Sequence, residues 1–112
     1  MAKQYNWYRV SDLPLANRDI TVLEVNGKKV CFTRYEEGLY AFAYKCPHAS
    51  GVMADGFIDD SGNVVCPLHR YRFNIKNGYN SSGEGFYLKT YPVEQRTDGT
   101  YIGMEKSSLF GW

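Results

Sequence analysis

Two of the three cysteines and both histidines of the chain fall in two short runs: Cys46, Pro47, His48, and then Cys66, Pro67, Leu68, His69. The pattern is C-x-H, seventeen residues, then C-x-x-H, so each run offers one thiolate sulfur and one imidazole nitrogen. A tetrahedral zinc is usually held by paired ligands two to four residues apart, and a structural zinc knuckle is one way to use this set. A mixed pair in each run also suits two metal centres side by side. Both sulfurs then converge on one metal and both imidazoles on the other, bridged by inorganic sulfide. With both imidazoles engaged as ligands, no serine or cysteine keeps a histidine as its base, which excludes nucleophilic catalysis.

The elements that carry these runs must come from a chain of 112 residues, enough for one domain with a modest core and too short for a second catalytic domain. Thirteen basic and twelve acidic residues leave a net charge of +1, so no global field draws nucleic acid or an anionic membrane. No apolar run approaches the roughly 20 residues that span a bilayer, and the first residues carry no apolar signal segment. The chain reads as soluble and cytoplasmic. Cys31, left over by the two runs, has no partner for a disulfide and sits in the apolar stretch Val30, Cys31, Phe32, as a small buried side chain would.

Short stretches rich in Val, Ile, Tyr and Phe recur between turn signals, and none keeps a helical repeat for three turns, so the fold class is all-β. Strands are expected at 7–10, 20–25, 28–35, 39–43, 57–58, 63–65, 72–75, 88–94 and 100–103. Asn26 and Gly27 join two of these and fit a type I′ hairpin turn. Residues 49–55, small and with one glycine, read as a loop. The hairpin over 57–65, turned by Asp59, Asp60, Ser61 and Gly62, places Cys66 at its end and lets the two ligand runs face each other.

The segment CPHASGVMADGFIDDSGNVVCPLHRYRFNIKNG, with LKTYPV later, resembles Rieske-type ferredoxins, which carry a 2Fe-2S cluster. That resemblance implies a single Rieske domain over 1–112: an antiparallel β-sandwich-like base from 1–43 and 81–112, and a cluster-binding subdomain over about 44–80. It assigns Cys46 and Cys66 to the inner iron, and His48 and His69 to an outer iron nearer the surface. It also implies an electron carrier that takes one electron from a reductase and passes it to a terminal oxygenase. The small subunit of a nitrite reductase is the alternative on the same fold, and a zinc-stabilised interaction module is the alternative from another class. Two thiolates and two neutral imidazoles leave the oxidised centre uncharged, where four thiolates leave it negative. Rieske centres accordingly lie at about −150 to +300 mV against about −400 mV for four-cysteine ferredoxins, a gap of at least roughly 6 kcal/mol for one electron.

The departures from the respiratory members of that family are as informative. Those carry serine and tyrosine hydroxyls near the cluster where this chain has Tyr71 and Phe73, and they join the two loops by a disulfide whose cysteines fall at Gly51 and Leu68 here. The expectation is a centre of the oxygenase-ferredoxin kind, with a midpoint below about 0 mV. A proline-containing covering loop of many relatives is replaced by Ser82, Gly83, Glu84, Gly85 and Phe86. Lys45, Arg70, Tyr71 and Arg72 adjoin ligands and form either a docking rim or solvated loop charges. Tyr44 and Phe73 are expected beneath the loops, and Asp59 and Asp60 in a plain turn. Leu109, Phe110 and Trp112 either pack on the domain itself or meet a partner.

Overall fold

The structure, a computed structural model, describes residues 4–10, 15–46, 51–68, 70–80 and 87–105. Its strands are β1 (Tyr5–Val10), β2 (Ile20–Val25), β3 (Lys28–Tyr35), β4 (Gly38–Ala43), β5 (Phe57–Ile58), β6 (Asn63–Val65), β7 (Arg72–Asn74), β8 (Thr90–Tyr91), β9 (Val93–Arg96) and β10 (Gly99–Glu105), with one 3-10 turn at Met53–Asp55. They form three antiparallel sheets in the orders β1-β10-β9, β2-β3-β4-β8 and β5-β6-β7. The all-β expectation holds. Among the described residues no helix is long and apolar enough to cross a membrane.

The pair β3–β4 organises the core because both its faces are covered. Val30 and Phe32 on β3 and Ala41 on β4 join Val25, Ile102 and Met104 between the two larger sheets. Cys31 and Phe42, pointing the other way by the period-2 alternation of a strand, join Cys46, Met53, Ile58, Val64, Cys66, Phe73, Ile75 and Leu88 under the small sheet. Two-sided burial explains why this stretch reads as a continuous apolar run rather than an alternating one. Thr33, the buried polar residue of β3, donates its hydroxyl to the Asp19 carbonyl at 2.7 Å.

The turn at Asn26 and Gly27 has φ of 51° and 80°, the pair of positive values that a type I′ turn requires. The expected single strand over 88–94 is instead two, β8 on β4 and β9 on β10. Pro92 lies between them, has no N–H to give a ladder, and marks where the chain passes from one sheet to the other. Its carbonyl accepts the Gly103 amide at 2.9 Å, so the crossing is still hydrogen-bonded to β10. The expected loop over 49–55 is partly structured: Val52 bridges Lys45, and Met53–Asp55 makes the 3-10 turn.

Candidate functional site

Each of the two site cysteines stands at the last paired position of a hairpin. In the first, 44–46 pair with 51–53: Lys45 bridges Val52, the Met53 amide donates to the Tyr44 carbonyl at 2.8 Å, and the Cys46 amide donates to the Gly51 carbonyl at 2.9 Å. β6 and β7 form the second, where the Cys66 amide donates to the Tyr71 carbonyl at 2.8 Å and the Arg70 amide to the Cys66 carbonyl at 2.9 Å. Arg70 has φ of 58°, the left-handed conformation that turns the chain back after the loop. His48 and His69, the other two expected ligands, lie outside the described residues, as do Ser82 to Phe86 and the tail with Leu109, Phe110 and Trp112.

The small sheet is tied to the base through its own turn. Asp59 Oδ1 accepts from the Ser61 and Asn63 amides, each at 2.9 Å, closing the β5–β6 turn, as expected of a plain turn. The Tyr35 hydroxyl at the end of β3 donates to the Asp60 carbonyl at 2.7 Å, and its ring lies under Gly62. At the far side Gly78, with φ of 77°, comes so close to the Leu88 carbonyl that a Cβ there would lie 1.8 Å from the oxygen, so only glycine fits. These contacts tie the small sheet, and with it Cys66, to the end of β3 and to Leu88 just before β8.

The two hairpins meet. A Cβ on Gly51 would lie 3.4 Å from Cys66 Sγ and 3.1 Å from Leu68 Cδ1, so the return strand of the first hairpin abuts the sulfur and the capping leucine of the second. Gly51 and Leu68, the positions at which the family's respiratory members are expected to carry the bridged cysteines, are thus close neighbours here, too close for a Cβ at 51 without a shift of Leu68. Cys46 and Cys66 are 4% and 0% exposed, share one apolar core, and no disulfide joins any of the three cysteines. Phe73 is fully buried in that core and Tyr44 packs at its edge, as the sequence led us to expect; Tyr71, which the sequence placed with the rim beside the ligands, also packs there. Cys31 is also in it, and burial, with the Asp55 charge adding, pushes its thiol from 9.0 up to about 12, so it stays protonated. Sequence reading placed Cys31 inside but gave no sign that it shares a core with the two site cysteines, because only strand pairing brings them together.

Among the described residues no three Cys, His, Asp or Glu side chains gather as a metal site. The described half of the expected set nonetheless fits an iron–sulfur group. Two thiols at the ends of facing hairpins, walled by Met53, Phe73 and Leu88 and closed by a glycine, give the soft donors and dry surroundings such a group takes.

Comparison with known proteins agrees with this frame. The family described as Rieske [2Fe-2S] domain matches residues 3–92. The ferredoxin component of the alkene monooxygenase system of Xanthobacter autotrophicus is 23% identical over 87 residues, covering 78% of this chain and 71% of that protein. A nitrite reductase [NAD(P)H] of Emericella nidulans is 37% identical over 68 residues, 54% of this chain but only 6% of that one. Among solved structures, the ferredoxin of carbazole 1,9a-dioxygenase from Nocardioides aromaticivorans IC177 superposes with a TM-score of 0.77 at 24% identity, covering 89% of this chain and 98% of that one.

Proposed function

Because the chain belongs to the Rieske [2Fe-2S] domain family, we propose that it is a one-electron carrier, passing electrons from a reductase to a terminal oxygenase and transforming no substrate itself. A 2Fe-2S cluster, when bound, supplies a centre that gains and loses a single electron. In this reading Cys46 and Cys66 hold its inner iron and His48 and His69 its outer one. Residues 44–80 form the cluster-binding part, and 1–43 with 81–112 form the base. The observation that carries the reading is the meeting of the two hairpins, with Gly51 against Cys66 Sγ in a shared dry core.

The chain's own residues set the conditions for that centre. Phe73 and Met53 exclude water from the sulfurs, and the low dielectric they create penalises net charge, which the two neutral imidazoles keep small. Tyr71 and Phe73 supply no hydroxyl arrangement of the respiratory kind, so the midpoint falls below about 0 mV. The relatives' printed roles, a monooxygenase component and a dioxygenase ferredoxin, support an oxygenase as the acceptor.

The test is iron, acid-labile sulfide and EPR analysis of the purified protein. Two irons and two sulfides per chain with a reduced-state EPR signal are expected; a colourless protein with one zinc and no sulfide overturns the reading. The likeness to a fungal nitrite reductase favours one second reading, a subunit of a larger reductase. Persistent co-purification with a large redox subunit selects it over a free shuttle.

A further inference from the structure

The chain has ten tyrosines, and their surroundings divide them. All but two are half-buried, among them Tyr35, whose hydroxyl donates to the Asp60 carbonyl, and Tyr101, whose hydroxyl donates to Asp98 Oδ2 at 2.9 Å. Tyr79 and Tyr87 are the exposed ones, at 57% and 64%, and they touch: their ring centroids are 5.8 Å apart and their planes are tilted by 59°. Neither ring enters the two cores.

Backbone hydrogen bonds on both sides hold the two rings together. The Leu88 amide donates to the Gly78 carbonyl at 2.9 Å, so Tyr79 and Tyr87, the next residues inward from that pair, face each other. Tyr79 is fixed on its own side: its amide donates to Asn77 Oδ1 and its carbonyl accepts the Asn74 amide, each at 2.8 Å, while Asn80 beyond it bridges Phe73. Tyr87 is fixed through its neighbours, because Leu88 is buried in the core and the Lys89 carbonyl accepts the Ala43 amide of β4 at 2.9 Å. Two phenols held at contact in this way need no diffusional encounter to react with each other.

We propose that Tyr79 and Tyr87 form an oxidative modification site, at which a one-electron oxidant of the peroxidase class, supplied with hydrogen peroxide, joins the two rings as dityrosine within one chain. Each phenol gives up one electron and its hydroxyl proton. The two radicals join through the carbons ortho to oxygen, and the hydrogens on those carbons move to the oxygens as the rings regain aromaticity. The two electrons and two protons released cleave the O–O bond of one peroxide and leave as two waters. Burial shields the other tyrosines from a protein-sized oxidant, and contact between the exposed pair makes the coupling intramolecular. The new bond is a covalent tie in a chain whose three cysteines form no disulfide. The inference goes beyond the carrier reading and does not rest on it.

The test treats the purified protein with peroxidase and an equimolar amount of hydrogen peroxide. The expected product is a monomer lighter by two hydrogens, with dityrosine fluorescence and a proteolytic fragment joined at Tyr79 and Tyr87, in a yield that does not depend on protein concentration. Tyr79→Phe and Tyr87→Phe each delete only the hydroxyl of an exposed ring, and each should lose that monomer product. Tyr5→Phe, at a half-buried ring 5.9 Å from Trp7, should keep it. Dityrosine found only in covalent dimers, a cross-linked monomer that survives in Tyr87→Phe, or no dityrosine at all overturns the proposal. Iron and sulfide do not enter the readout, so failure of the carrier reading leaves this result unchanged.

Discussion

Between the two larger sheets the core is hydrocarbon apart from Met104, whereas the core beneath the small sheet gathers the sulfurs of Cys31, Cys46, Met53 and Cys66. β3 feeds both, sending Val30 and Phe32 to the first and Cys31 to the second. The first core has one task, to hold two sheets together. The second holds the small sheet and also contains Cys46 and Cys66, the candidate ligands, so in the proposed reading a change there acts on folding and on cofactor binding at once.

The largest expected effect is therefore on the sulfur side. Cys66→Ala should lose nearly all bound iron and visible absorption, read by metal analysis, and lower the melting temperature through loss of the bound group. Retention of a full complement of iron would break the division between the cores. Next, Phe32→Ala and Phe73→Ala should each cost about 3–5 kcal/mol in urea unfolding, since both rings are fully buried. Phe32→Ala should keep the wild-type spectrum in its folded fraction and Phe73→Ala should not. Identical spectra in the two variants would merge the cores into one functional unit.

A third expectation sharpens the comparison through pH. The Cys31 thiol is held up to about 12 in the folded chain and ionises near 9.0 when unfolded. Its contribution is thus fully present below pH 9 and is lost as pH rises from 9 to 12, on the order of a few kcal/mol in all. Tyr91, raised by burial and then by Glu105, shifts in the same direction. Urea midpoints of the Cys31→Ala variant should fall less steeply over that window than those of the wild type. The smallest effect belongs to the turn of the small sheet: Asp59→Ala, losing two backbone hydrogen bonds at 2.9 Å, should cost about 1 kcal/mol without changing the spectrum.

What the sequence made legible follows from how local each signal is. Asn26 and Gly27 specify their turn by themselves, and the bounds of β5 and β6 match the expected 57–58 and 63–65 because Asp59 and Gly62 define the turn between them. The spacing marked Cys46 and Cys66 as candidate ligands, and the structure buries both in one core. The split of 88–94 was not, because it depends on which sheet each half joins, and Pro92 signals a break without naming the new neighbour. The 3-10 turn at Met53–Asp55 was equally hidden, since small residues there suit a loop as well. The meeting of Tyr79 with Tyr87 arises from the hydrogen bond between the Leu88 amide and Gly78, a proximity that no local pattern encodes.

Leu68 resting on Gly51 has a consequence for handling and for life in a thiol-rich milieu. Where a covalent latch would spring open under dithiothreitol or glutathione, a methyl group seated on a bare α-carbon offers these reagents no bond to cleave. The gap between the two hairpins is thereby kept shut by shape, whatever the redox poise of the medium around it.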